Sequence, residues 1–249
     1  MPADEVFESD FFASLYDCFN PWSECDEFYF DQAVTVGGPV LDLGCGTGAL
    51  ACGLALNGLD VVGVDPSQAM LRVARSRDGG DRVIWIKSDA QSLHLEHRFN
   101  FICMTGHAFQ QLLTDADALA LFRTVVHHLK PHGRFVFETR NPAAEAWLSW
   151  TPQHPRPIVQ SPEHGRVSLI YDAVLDPASG IVTVKEHYHL LDQGVQRTGQ
   201  NRIRFVSREH LANLLAEAGL AAVTWYGDWD SQPFSSTSKE IIALTRRTS

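Results

Sequence analysis

No lysine or arginine occurs before Arg72, while twelve aspartates and glutamates fill that stretch. The formal net charge of −10 therefore sits wholly in the first third of the 249-residue chain; the rest holds 18 acidic and 20 basic residues. A duplex-binding protein presents a basic face, so nucleic acid is a poor partner. Long apolar runs are also missing. Nothing approaches the ~20 residues that a membrane span needs, and the N-terminus lacks the basic start and apolar core of a secretory leader. A cytoplasmic protein with no membrane partner is expected. Cysteine is scarce: Cys18, Cys25, Cys45, Cys52 and Cys103 make an odd count with no C-x-x-C pair. Neither a disulfide framework nor a zinc site is indicated, no metal is expected, and a reducing compartment is the simplest setting.

What is present is ordinary globular material, 45% hydrophobic and 20% charged, of a length that suits one large domain with an inserted piece. Residues 6–36 read as two helices broken at Asn20-Pro21, with Phe7, Phe11, Phe12, Leu15 and Phe19 at helical spacing. From Pro39 short strands and helices alternate. Strands are expected at Val40–Leu43, Asp60–Val64, Arg82–Ile86, Phe99–Met104 and Gly133–Thr139, and helices at Ala49–Leu56, Ser67–Ser76 and Ala116–Leu129. Such alternation argues for a parallel sheet with helices on both faces. The rhythm breaks at 151–162, where four prolines predict a loop. Three strand-like runs follow (Val167–Leu175, Ile181–Leu191, Val195–Val206), joined by turn sequences and read as an inserted antiparallel meander. A helix over Ser207–Ala218 and strands near Ala221–Tyr226 and Glu240–Thr245 close the chain.

The most informative stretch is Val40-Leu-Asp-Leu-Gly-Cys-Gly-Thr-Gly48, a buried strand running into a glycine turn that opens a helix. Alternate glycines let the chain turn sharply and let a ligand lie against the backbone, and the helix start offers N–H groups and partial positive charge. Gly44-x-Gly46-x-x-Ala49 also fits a relaxed dinucleotide pattern, so the glycines alone leave the ligand open. Two acids narrow it. Asp65, before Pro66, ends the second strand about 20 residues past the first glycine, where an acid accepts ribose hydroxyls. Asp89 follows the third strand, placed for an adenine amino group. Asp42 faces the same crevice or braces the turn.

Together these pieces resemble the class I S-adenosylmethionine-dependent methyltransferases, strongly over residues 36–140 and more loosely over 195–247. The motifs are the Asp42–Gly48 turn, Asp65, Asp89-Ala90, and Leu129-Lys-Pro-His-Gly-Arg-Phe135. The resemblance implies an α/β fold, a Rossmann-like doubly wound, mostly parallel seven-stranded sheet. It implies an N-terminal helical lid at 1–36, a cofactor-binding domain at 37–150 and 201–249, and an inserted antiparallel substrate-side subdomain at 151–200. It implies S-adenosylmethionine as cofactor and S-adenosylhomocysteine as product. Gly44, Cys45 and Gly46 would border the methionine part and Asp65 the ribose. Met70 would pack on adenine, Asp89 and Ala90 would read its edge, and Thr105 would lie beside the sulfonium. A weaker likeness links the meander to small-molecule N-methyltransferases acting on amino sugars and glycine-like amines.

Methyl transfer is a direct displacement in which positioning supplies much of the rate, so a base is needed only where the acceptor must lose a proton. His107, after the fourth strand, is the candidate. Tyr16, Trp22, Tyr29, Arg140 and Trp147 are candidate walls of an aromatic acceptor pocket, which favours a small organic substrate. The acidic N-terminal helices favour an amine or neutral acceptor over a phosphate ester. His187 and His189, two apart on a strand, read as a plain sheet face. A nicotinamide-dependent oxidoreductase and a non-catalytic S-adenosylmethionine-binding protein are the competing readings. A monomer or a homodimer is expected, the exposed meander edge being available to a second copy.

Overall fold

A computed structural model describes residues 8–248. Among the described residues α1 (Asp10–Phe19) and α2 (Glu24–Val36) precede the first strand, broken at Asn20-Pro21 as expected. The strand and helix alternation follows as β1 (Val40–Leu43), α3 (Ala49–Leu56), β2 (Val61–Asp65), α4 (Gln68–Ser76), β3 (Ile84–Lys87), β4 (Phe99–Met104), α5 (Asp115–His128) and β5 (Leu129–Arg140). Helix starts sit where short polar side chains can accept backbone N–H groups. Ser67 accepts the Met70 N–H at the head of α4, and Thr114 and Asp117 form a reciprocal capping box at the head of α5.

The second half holds four antiparallel strands, β6 (Val159–Ser161), β7 (Gly165–Asp176), β8 (Ile181–Leu190) and β9 (Val195–Arg204). Helix α6 (Arg208–Ala218) and strands β10 (Leu220–Tyr226) and β11 (Glu240–Arg247) complete the chain. The main sheet has seven strands in the order β10-β11-β5-β4-β1-β2-β3, and β6-β7-β8-β9 form a separate sheet. Strands β3, β2, β1, β4 and β5 run parallel, while β11 is antiparallel to both β5 and β10. This is the Rossmann-like, mostly parallel α/β sheet with an added antiparallel sheet.

Both faces of the main sheet are covered. Phe99, Phe109, Phe122, Phe135 and Phe137 fill one side beneath α5 and α6, with the Phe109 and Phe137 rings 4.8 Å apart. Tyr29, Leu50, Leu54, Phe101 and Val136 fill the other beneath α2 and α3. Each such side chain contributes about 1.5–3 kcal/mol by leaving water. The alternation of Phe135, Val136 and Phe137 between the two clusters is the period-2 pleat of a strand buried on both faces.

Three expectations differ from the structure. Strand β5 begins at Leu129, through Pro131, rather than at Gly133; its pairing with β4 slips between Phe99 and Phe101, which accommodates the early start. The proline-rich stretch contributes the short edge strand β6, which fits in the proline-free gap between Pro157 and Pro162 and pairs with β7. The meander thus has four strands, the last ending at Arg204, two residues short of the expected Val206. Finally, the two N-terminal helices do different things. Helix α1 packs on the second sheet and on Met70, whereas α2 supplies Phe28, Tyr29 and Ala33 to the main core.

Candidate active site

The glycine turn folds as the sequence requires. Gly44, Gly46 and Gly48 have φ of 70°, 54° and 75°, a left-handed region in which a side chain costs roughly 1–2 kcal/mol. The Gly44 and Cys45 N–H groups both donate to the Val64 carbonyl, at 2.8 and 3.0 Å, fastening the turn to the end of β2. A Cβ on Gly48 would lie 2.5 Å from the Trp85 ring, so helix α3 approaches β3 only because that atom is missing. A Cβ on Gly46 would meet nothing within 4 Å, and this open space is where a ligand can lie on the backbone.

Two buried carboxyls flank that space. Asp65, 7% exposed, accepts the Gly46 N–H at Oδ2 and the Ser67 N–H at Oδ1, both at 2.8 Å. Burial pushes its pKa up to about 6 against the pull of those two donors. Asp42, 1% exposed, is pushed up to about 7 by burial, opposed by the Cys103 thiol 3.7 Å from Oδ1. Asp65 and Lys87 are register partners across β2 and β3, so Asp89, two residues on, lies at the same sheet end. Ala90 is buried in the core beside it. Pro66 and Thr105 occupy the loops after β2 and β4. Met70 is buried among Ala13 and Ala69 with Tyr16 alongside, and also lines the cavity described next. A glycine cradle with open space, paired with two buried acids, fits a ligand carrying hydroxyls and positive charge.

The cavity lies between α1, the ends of β4 and β5, and the second sheet. Tyr16, Met70, Gly106, His107, Arg140 and Trp150 form its floor. Its roof is the inner face of the meander, where Val184, Glu186 and Tyr188 alternate on β8. His187 and His189 consequently face the opposite side. Glu186 accepts the Tyr188 hydroxyl at 2.7 Å, and burial raises its pKa. Arg140 donates to Gln110 Oε1 at 2.7 Å and stacks 5.1 Å from the Trp150 ring centre; burial lowers its pKa. Burial likewise raises that of the Tyr16 hydroxyl, with the Asp65 charge adding to it.

His107 has φ of 59°. Its N–H donates to Glu138 Oε1 at 2.7 Å, and its ring Nε2 lies 2.9 Å from Glu240 Oε2. Glu138 is wholly buried, burial raises its pKa, and its second oxygen accepts the Tyr29 hydroxyl. Sequence reasoning missed Glu138 and Glu240. An acid in the otherwise apolar Phe135–Phe137 run was a readable signal for the first; nothing local marked the second.

Of the expected pocket walls, Tyr16 and Arg140 line the cavity and three others do not. Trp22, in the linker between α1 and α2, is 44% exposed and lies against Phe30 and Gly53. Tyr29 is fully buried beneath His107 through its bond to Glu138. Trp147 packs edge-on to Phe205, 4.6 Å between centres, in the meander's own core; its neighbour Trp150 reaches the cavity instead. The charge argument also changes. Asp10 pairs with Arg72 and Asp17 with Arg77, and Thr47 Oγ1 donates to Asp17. Two of the acids counted as unopposed are thus neutralised by α4 and its C-terminal cap while they clamp α1 over the glycine turn.

Residues 40–133 match the family profile described as a methyltransferase domain. A cypemycin N-terminal methyltransferase from Streptomyces is 33% identical over 107 residues, covering 43% of this chain and 44% of that protein. The chain spans about half the length of the curated relatives it matches first. The structure of the CcbJ methyltransferase from Streptomyces caelestis superimposes with a TM-score of 0.79 at 23% identity, covering 97% of this chain and 99% of that one. The S-adenosylmethionine-bound CalS10, an amino pentose methyltransferase from Micromonospora echinaspora, gives 0.66 at 21%, covering 91% and 93%. Residues 40–133 therefore match a methyltransferase domain, and the two solved structures share the fold of nearly the whole chain.

Among the described residues no helix is long and apolar enough to cross a membrane, and no group of three or more histidines, cysteines or acids is arranged to hold a metal ion.

Proposed function

We propose that this protein transfers a methyl group from S-adenosylmethionine to a small molecule bearing an amine or a neutral acceptor atom. The observation that carries the reading is a shared boundary: Gly106 and His107 line the cavity under the meander, and Ala108, next in sequence, packs against Gly44 of the glycine turn. An acceptor in that cavity would meet the cofactor where the two spaces join. Gly44, Cys45 and Gly46 would border the amino-acid end of the cofactor with Asp42 behind them, Asp65 would take the ribose, and Asp89 with Ala90 the adenine. Bound there, the cofactor supplies an electrophilic methyl group.

The protein's own residues do the rest. Held by Asp10–Arg72 and Asp17–Arg77, α1 lies beside the glycine turn and would shield the bound cofactor from water. Glu186 offers a buried carboxylate to a cationic acceptor, whereas Arg156 is engaged by the Phe19 carbonyl and Arg140 by Gln110 and Trp150. His107 receives the proton that an amine acceptor gives up. The amino pentose and N-terminal methyltransferases among the similar proteins support an amine.

Calorimetry with S-adenosylmethionine, followed by S-adenosylhomocysteine release across amines and their hydroxyl and phosphate analogues, tests this. Micromolar cofactor binding and release confined to amines and neutral compounds are expected. Binding of NAD without S-adenosylmethionine, or faster turnover of phosphorylated acceptors, overturns the reading.

A further inference from the structure

His107 touches two carboxylates through two different atoms, and the two acids are not equivalent. Glu138 is spent on structure: one oxygen takes the His107 backbone N–H and the other the Tyr29 hydroxyl. It fixes where the residue sits and leaves no oxygen over for the ring. Glu240, the first residue of β11, reaches the ring itself, Oε2 to Nε2 at 2.9 Å, across 133 residues of sequence. The pairing of Glu240 with Arg140 along β5 sets that reach. The side chains of His107 and Glu240 are only 18% and 14% exposed, so water screens their contact little.

We propose that Glu240 is the positioning residue for His107 in proton transfer from the acceptor, an inference that rests on the reading of His107 as the base. A carboxylate can only accept, so it holds a proton on Nε2 and leaves Nδ1 with the ring's free electron pair. An acceptor N–H bond then breaks, its electrons stay on nitrogen, and the proton bonds to Nδ1. The imidazolium so formed shares its charge with Glu240. Glu138 and the backbone at φ 59° hold the loop while this occurs. Of the other charged groups nearby, Arg140 is turned to Gln110 and Trp150.

The test compares wild type with E240Q, E240A, E240D and H107N. The first measurement is nitrogen-15 NMR of the histidine rings in the protein bound to S-adenosylhomocysteine, with H107N assigning the signal. Wild type should show a protected, downfield Nε2 proton on His107 that E240A abolishes. The second is steady-state turnover with the amine giving the fastest release in the panel above. E240Q should lower kcat by about 10–100-fold, the usual scale for a residue that orients another, leave both KM values within about threefold, and let E240D recover part of the loss. An Nε2 proton absent from wild type or unaltered in E240A overturns the proposal. So does an E240A that loses the proton yet keeps wild-type kcat, since the contact is then merely structural. If H107N itself turns over normally, the base reading fails and the proposal with it; if H107N is slow and E240Q is not, only the proposal fails.

Discussion

The two halves of the site are assembled in opposite ways. The side proposed for the cofactor runs from Asp42 to Ala90 in one stretch of chain and is built largely from backbone: three left-handed glycines, the N–H groups of Gly46 and Ser67, and the close approach at Gly48. The cavity side draws single side chains from Tyr16, His107, Arg140, Trp150 and Glu186, with Glu240 behind them, and works through their tips. A backbone site tolerates little change in any member, because each residue fixes the path of the next. A side-chain site can be retuned one residue at a time. The contrast explains how one cofactor fold can serve many acceptors.

The comparison breaks most severely at Gly48. Gly48→Val adds a left-handed β-branched residue whose Cβ would meet Trp85 and Ala74 at 2.5 and 2.9 Å. Strain and overpacking together predict a loss of about 3 kcal/mol or more, read as a lowered denaturant midpoint, with cofactor binding lost as well. An unchanged midpoint would mean that the turn is more plastic than its φ values imply.

Next in size is Asp42, through pH. Its native carboxyl is pushed up to about 7, whereas the unfolded chain titrates near the usual ~4. The folded state therefore binds the extra proton between those values, and stability of the ligand-free protein falls as pH rises from about 4 to 7. Asp65 acts with the same sign up to about 6. Asp42→Asn removes the charge that must be buried, so it should flatten this slope and gain of order 2–4 kcal/mol above pH 7, seen in denaturant midpoints at pH 5 and 8. Asp65→Ala should weaken S-adenosylmethionine binding by about 10–100-fold, the worth of a charge-assisted bond, by calorimetry.

The smallest effects sharpen the cavity side. Trp150→Ala should raise the acceptor KM several-fold by removing a wall and the support of Arg140. Trp22→Ala should leave both KM values unchanged and cost under ~1 kcal/mol of stability, since it sits half in water. Equal KM changes in the two tryptophan variants would show that the linker between α1 and α2 also reaches the acceptor.

The same contrast governs what was legible. Strand β1, the glycine turn, the helices that start at Ser67 and Ser207 and three of the meander strands could all be read, because each is set by residues within a few positions of one another. Strand β6 was hidden by the prolines on either side of it, which leave only three residues free to pair with β7. The Asp17–Thr47–Arg77 clamp and the His107–Glu240 contact had no local trace. Aromatic character proposed Trp22, Tyr29 and Trp147 as pocket walls, but it cannot tell a wall from a core.

By itself, the sequence determined the α/β alternation, the backbone cradle and the acids at strand ends, since periodicity and glycine stereochemistry act over short range. Only the tertiary structure decided which aromatics face the cavity, which acids are paired, and which carboxylate holds His107, because the sheet order places residues side by side that the chain keeps a hundred or more positions apart.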